Sequence, residues 1–490
     1  PILPYNWLLI MKLSFVSNLI ISDKLKTILG IILIMMIPIV LLYNSSIDHT
    51  IKITFLANIG VLSVLLWYSF TTNDLNLGNV FVVIFFYLFF IIAPILQLKD
   101  GPDILVNTLP YDIQKVFNAN VLVTLFLSVY TLAYLISRNI FSNIKIKSHI
   151  VFGKTVNERS NVILLILLIL SFIAAITALL EIKSLTSVLS VLENYGNQED
   201  ISENLIRRKV LYNFPLALFV YLRIYKEKVK GKYLLYLIAF LCILITKNPL
   251  LEKRNGLGAT YLFLLFCILE PYLRSSRLQF VVFFLLFVIF FPISSILTHQ
   301  SFFSWGSAFE NVSTITHIID HFQQLHYDAW ANFIASIEYV TDSGMEFGRQ
   351  LLGTLFFYFP RSLWVTKPQP TGVEVGNFLI GNYNMWFDNL SSPLVAEGYV
   401  DFGISGLVLY AIILAGITYY LGQTARKTDY LEKYAAIYVQ CSYLFILRGA
   451  LMPAFAYTIG SLIAIYLIPK MMEFIVKLVG VRFQLVWRSV

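Results

Sequence analysis

Residues 162–180 read VILLILLILSFIAAITALL, an uncharged apolar run bounded by Asn161 and Glu181. Wound as a helix at ~1.5 Å per residue it is about 28 Å long, which matches a hydrocarbon core ~30 Å thick. A chain that carries such a run, and others like it, is built to fold in lipid. Composition agrees: of 490 residues 58% are hydrophobic and 13% charged, and the mean hydropathy is +0.75, outside the range of water-soluble globular proteins.

Length and flanks place twelve candidate spans at 27–44, 53–70, 80–98, 118–137, 162–180, 210–225, 233–246, 259–273, 278–297, 404–421, 434–447 and 454–468. The fold expected is therefore an all-α polytopic membrane protein of about twelve transmembrane helices. Three parts follow: an N-terminal bundle over 1–297, a large extracytoplasmic loop over 298–403, and C-terminal spans with a basic tail over 404–490. The apolar segment after Lys12, Lys24 and Lys26 shows no cleavage signature of a secretory leader, and Met11, opening MKLSF, is the expected start.

The net charge of +8 is spread as small clusters between apolar runs, the pattern by which Lys and Arg set topology, so nucleic acid is not an expected partner. With both termini in the cytoplasm, 22 of the 36 cations fall inside and 14 outside. Cys242, Cys267 and Cys441 all lie in apolar runs and read as small core residues.

Cations on the outer side oppose the topological bias and so ask for a reason. Span 233–246 covers only about 21 Å, which recesses the following turn, with Arg254, below the outer surface. Span 434–447 is as short and is followed at once by Arg448. A guanidinium at that depth costs several kcal/mol unless it snorkels or is paired, either with a carboxylate such as Glu252 or with an anionic head group.

Within 298–403, apolar residues recur at three- and four-residue spacing over 315–340, the pattern of an amphipathic helix pair lying on the membrane. Segment 351–360 is apolar and too short to span, so it reads as re-entrant or interfacial. Trp364, Pro368 and Pro370 stiffen the turn that carries Arg361 and Lys367. On a helical wheel His317, His321 and Asp328 share a polar face, open to a hydrophilic substrate; with no compelling third ligand, a metal site is not expected. No phosphate-binding loop, dinucleotide fingerprint or nucleophile elbow is present. Any enzyme chemistry here works on a pre-activated substrate, without a cofactor.

The run PRSLWVTKPQPTG (360–372), followed by NLSSPLVAEGYVDFGISG (389–406), resembles the Wzy-type O-antigen polymerases, the oligosaccharide repeat unit polymerases. Arg361 and Gly372 stand at the R-x10-G spacing described for them. KRNG around Arg254 is similar to a turn of that family and of the O-antigen ligases, and LRGAL around Arg448 to its late R-G turn. Arg207 and Arg208 have no Gly at the R-x10-G distance, a departure from a two-loop pattern.

The resemblance implies a fold related to the GT-C glycosyltransferases in the bacterial inner membrane, with its site facing the exterior. It implies an inverting, metal-independent transfer of a growing glycan from undecaprenyl pyrophosphate to the non-reducing end of a new undecaprenyl-pyrophosphate-linked unit, with a chain-length regulator as partner protein. Arg254, Arg361, Arg448 and, as a point charge, Lys367 are then the expected pyrophosphate ligands. Glu397 is the first candidate for general base, ahead of Asp401 and His321, and the alternative is that Glu397 is Arg361's salt-bridge partner. Tyr399 and Trp364 could stack on sugar rings or anchor the interface. An O-antigen ligase keeps this chemistry with a different acceptor; a flippase or other transporter would show internal repeats and short loops.

Overall fold

The computed structural model describes residues 23–72, 76–142, 157–181, 208–225, 231–249, 254–273, 275–290, 315–426 and 431–487. Among these the chain is helical, with one isolated β-bridge, Ile104 to Pro110. In order the helices are α1 Asp23–Tyr43, α2 His49–Thr71, α3 Leu77–Gln97, α4 Ile113–Ser142, α5 Asn157–Glu181, α6 Phe214–Tyr225, α7 Lys232–Thr246, α8 Arg254–Leu269 and α9 Ser276–Leu285. Then come α10 Ile315–Phe322, α11 Ala329–Ser343, α12 Arg349–Leu355, α13 Thr371–Tyr383, α14 Leu394–Ala425, α15 Leu431–Cys441, α16 Tyr443–Arg448, α17 Leu451–Leu462 and α18 Ile468–Trp487.

Six helices among the described residues are long and apolar enough to cross a membrane: His49–Thr71, Leu77–Gln97, Ile113–Arg138, Asn161–Glu181, Leu394–Ala425 and Leu451–Val476. Four more, Thr27–Tyr43, Lys232–Thr246, Leu257–Leu269 and Ser276–Ile289, are apolar but shorter. Of the other expected spans, 210–225 contains only the twelve helical residues of α6, and 434–447 is broken at Ser442 between α15 and α16.

Helix α3 is the hub. It is apolar on every side and buried on every side, which is how an all-round hydrophobic helix ends up at a bundle centre. Phe85 stacks on Phe89 at 5.1 Å and Phe86 packs on Phe126 of α4 at 5.6 Å. Pro94 lacks the N–H that an α-helical turn needs, and the π turn Leu88–Ile92 just before it absorbs the mismatch. Buried amides stitch one end: Asn76 donates to the Tyr134 hydroxyl and to Thr418 O, and Gln440 accepts from Gly78 N.

The surface-lying helix pair expected over 315–340 is corrected. The wheel assumed one continuous phase, but α10 ends at Phe322 and a 3-10 turn, Leu325–Tyr327, resets it. Helix α11 then goes inside the bundle. Trp330 is fully buried, its indole N–H donating to Asn120 at 2.9 Å and its ring 6.4 Å from Phe55. Small residues Ala329, Ala331 and Ala335 let the helix approach α14 and α4 closely. In segment 351–360, expected to be re-entrant or interfacial, Leu352, Leu355, Phe356, Tyr358 and Phe359 are exposed.

Helix α14 is two helices. Phe402 (φ −143°, ψ 20°) and Gly403 (φ 60°, ψ −139°) break it. In an unbroken helix Gly398 and Gly406 would stand about 12 Å apart; here a Cβ on Gly406 would fall 1.9 Å from Gly398 O. The chain folds back at the break, so residues 394–401 form a half-helix against the head of the long segment. Gly406→Ala is expected to destabilise the fold by more than the ~1–3 kcal/mol usual for overpacking. Gly416→Ala, in the same helix with open space around it, is expected to be neutral or better. Thermal melts of the two purified variants check this.

Candidate functional site

Of the cations assigned to the cytoplasm by charge counting, Arg223 and Lys433 both reach Glu270 at 3.5 and 2.5 Å, and Lys470 pairs with Glu432. Of those assigned to the outside, Arg448 stands just before α17, and Lys209 packs against Tyr457 and Gly460 within it.

Arg448 pairs with Asp328 at 3.0 Å, and the side chains are 22% and 5% exposed. Asp328 also accepts from Ser391 Oγ at 2.6 Å and from Asn332 at 2.9 Å. Asn332 in turn accepts from Asn107. This places a residue of the NLSS run in contact with the recessed arginine, and it answers the question of that arginine's partner: a carboxylate from the start of α11.

Glu397 is 2% exposed. Its Oε2 accepts from Thr371 Oγ1 at 2.6 Å and its Oε1 from the Leu451 N–H at 2.9 Å. Thr371 opens α13 and Leu451 opens α17, so one carboxylate caps the start of α17 through its N–H and ties the first residue of α13 through its hydroxyl, while standing in the first turn of a third helix. Asp401 does the same for α12, accepting from the N–H groups of Gln350 and Leu351, both at 3.0 Å, and from Tyr410. Glu397, the first candidate for general base, is thus buried with a hydrogen bond to each oxygen. Both its oxygens are engaged, and it positions the 449–451 turn behind Arg448.

Nor is Glu397 the salt-bridge partner of Arg361. Arg361 donates to Lys367 O at 2.7 Å, Pro368 O at 3.0 Å and Gln369 Oε1 at 3.0 Å. Three of its five N–H groups close the turn, and the exposed guanidinium keeps two for another acceptor. Lys367 ties the same turn from the opposite direction, donating to Phe357 O at 2.7 Å and Phe359 O at 2.9 Å. The prolines and these two cations together make the turn rigid. It docks on α17 through Phe357, whose ring stands 6.1 Å from Phe455, and on α12 through Pro368, against which a Cβ on Gly353 would clash at 2.6 Å.

Trp364, half-buried, donates to Thr366; Tyr399 packs edge-on to Phe333 at 6.2 Å. His321 is buried against His326, 5.0 Å away, and Tyr327, inside the reset turn and away from the polar face it was expected to share. Gly372 is a packing position: a Cβ there would fall 2.2 Å from Leu390 O, and one on Gly376 2.1 Å from Asp388 O. The R-x10-G spacing thus links the arginine turn to the point where α13 presses on the backbone just before NLSS. Arg254 opens α8, but its guanidinium, like Glu252 and His317, lies outside what is described. Among the described residues no three His, Cys, Asp or Glu are grouped to hold a metal ion.

Lys209 was missed. It is 8% exposed, with its Nζ over the Tyr457 ring at 4.6 Å. Its backbone sits so close to α17 that a Cβ on Gly460 would come within 2.7 Å of its own Cβ, and Asn213 caps its carbonyl at 2.7 Å. No carboxylate among the described residues pairs with it. Burial pulls its ammonium down to about 8, and the nearby Lys367 charge adds to that; Lys367 is lowered too, by burial and then by Arg361. The available signal was its place, third in Arg207-Arg208-Lys209 and directly against an apolar span. The two arginines drew attention from it.

No protein-family model matches the chain, and neither a curated protein nor a solved structure matches it.

Proposed function

We propose that the protein joins lipid-linked oligosaccharide repeat units of a bacterial surface polysaccharide. It would act on the outer face of the cytoplasmic membrane with both termini inside, using undecaprenyl-pyrophosphate-linked glycans as donor and acceptor. The observation that supports this best is the cluster of Lys209, Lys367 and Arg361 with no carboxylate among the described residues to neutralise it. A buried lysine over the Tyr457 ring, with the Lys367 charge nearby, is an arrangement that an anionic ligand would stabilise. The resemblance of 360–372 and 389–406 names the anion: a polyprenyl pyrophosphate.

In the transfer, the acceptor hydroxyl oxygen bonds to the donor's anomeric carbon as its proton passes to water, and the bond from that carbon to the phosphate oxygen breaks. The electron pair and the developing charge pass to the pyrophosphate. Preorganised cations in a low-dielectric site lower that barrier by stabilising the leaving group. Arg361 offers fixed N–H donors, and Lys209 and Lys367 offer point charges. Glu397 and Asp328 hold the frame, the first by capping α17 and taking the Thr371 hydroxyl, the second by pairing Arg448.

Deletion in the native host, read on a glycan gel, tests the reaction class. Loss of a polymerase leaves a single capped repeat unit on the surface, and that is the expected result. Unattached long chains would identify a ligase; repeat units trapped inside would identify a flippase.

A further inference from the structure

A cleft of about 490 Å³ opens between the far ends of α11 and α13, lined by Glu338, Thr341, Asp342, Phe378, Asn382 and Tyr383. Helix α11 starts beside the Arg448–Asp328 pair, and ten residues of helix carry Glu338 about 15 Å beyond it. We propose that this cleft binds the uncharged glycan part of the lipid-linked substrate. This deepens the function proposed above and rests on it for the identity of the ligand.

The lining argues for the ligand class. Tyr383 donates to Glu338, and Lys115 donates to the other oxygen of the same carboxylate at 2.9 Å. Glu338 is therefore neutralised and held still. Asp342 is exposed, with one oxygen taking the Ser343 hydroxyl at 3.3 Å, and the exposed Asn382 amide makes no hydrogen bond among the described residues. Phe378 packs edge-on to Tyr339 at 5.9 Å and to Tyr383 at 6.1 Å, which fixes its ring in the wall.

A divalent cation needs six or more oxygen ligands and several free carboxylates; one free carboxylate is too few. An anion meets carboxylates and finds the one lysine already paired. An apolar ligand would leave Asp342 and Asn382 unpaired in the contact. A sugar ring satisfies all of them, with hydroxyls donating to Asp342, an amide that both donates and accepts, and the ring of Phe378 for its C–H groups.

The probe is the host's own surface glycan, cleaved from lipid and fractionated to one to three repeat units, titrated against the full-length protein in nanodiscs and read by saturation-transfer NMR. Wild type is expected to bind it, and the double variant Asp342→Ala/Asn382→Ala to bind at least tenfold more weakly. Both side chains are exposed, so the variant keeps its melting temperature. Thr341→Trp, which fills the cleft, is expected to do the same. Equal binding by wild type and both variants overturns the site, as does no binding by wild type. The host gel keeps the two readings apart: a single-unit phenotype on deletion together with unaltered glycan binding by the cleft variants sinks this inference and leaves the polymerase. Binding that the cleft variants lose, in a chain whose deletion leaves polymer length normal, supports the cleft and sinks the polymerase.

Discussion

Lys209→Met is expected to leave a folded, inserted protein whose product stops at one repeat unit. The substitution keeps the unbranched stem that packs on Gly460 and Tyr457 and removes only the charge. Since that charge is buried and opposed by Lys367, its loss should raise the melting temperature slightly while chain extension falls about 10²–10³-fold, the cost of deleting one preorganised donor to a developing anion. Normal polymer laddering from Lys209→Met would remove the carrying observation of the proposed function.

The pH dependence has a definite sign. Lys209 binds an anion when protonated, and its ammonium, depressed by burial to about 8, loses its proton as pH rises through that value. Extension by wild type should therefore fall above pH about 8. Stability moves the other way: between about 8 and the ordinary lysine value the unfolded chain holds the extra proton, so the native state gains on alkalinisation. Lys209→Arg, charged throughout, should carry the alkaline limb of activity to higher pH if the guanidinium is accommodated. Extension assays across pH 6–10 on the two proteins decide it.

Asp328→Ala is expected to be the most damaging single change outside the glycine contacts. It removes the partner of Arg448 and strands Ser391 and Asn332. Leaving one member of a buried pair uncompensated costs about 3–5 kcal/mol, somewhat less here because Arg448 is 22% exposed. The double variant Asp328→Ala/Arg448→Met should recover part of that stability without recovering polymer, because the fold tolerates loss of the pair more readily than loss of one half. A melt and a glycan gel on the single and double variants separate the two effects; a double variant less stable than Asp328→Ala would show that the arginine is held by something other than Asp328.

The class of the protein was legible in residues 162–180. Lipid offers no hydrogen bonds to a backbone, so long apolar runs have one outcome, the helix, and charge placement at their ends sets sidedness. The motif 389–406 was legible as a motif but not as a set of jobs. Ser391 ties the Arg448 pair, Glu397 and Asp401 cap helices, Gly398 and Gly406 touch, and Gly403 turns the chain. None of these partners lies at a fixed spacing in the chain.

Sequence by itself determined that the chain is helical and carries helices apolar enough to cross a membrane, because those follow from local hydropathy. Only the tertiary structure decided what each charge meets. It sent α11 inside the bundle through the volume and hydrogen bond of Trp330, engaged Glu397 with the Leu451 N–H and the Thr371 hydroxyl, tied Arg361 to its own turn, and brought Lys209, separated from Lys367 by more than a hundred residues, to the same helix. Pairing energy depends on distance and burial in three dimensions, and those are properties of the packing.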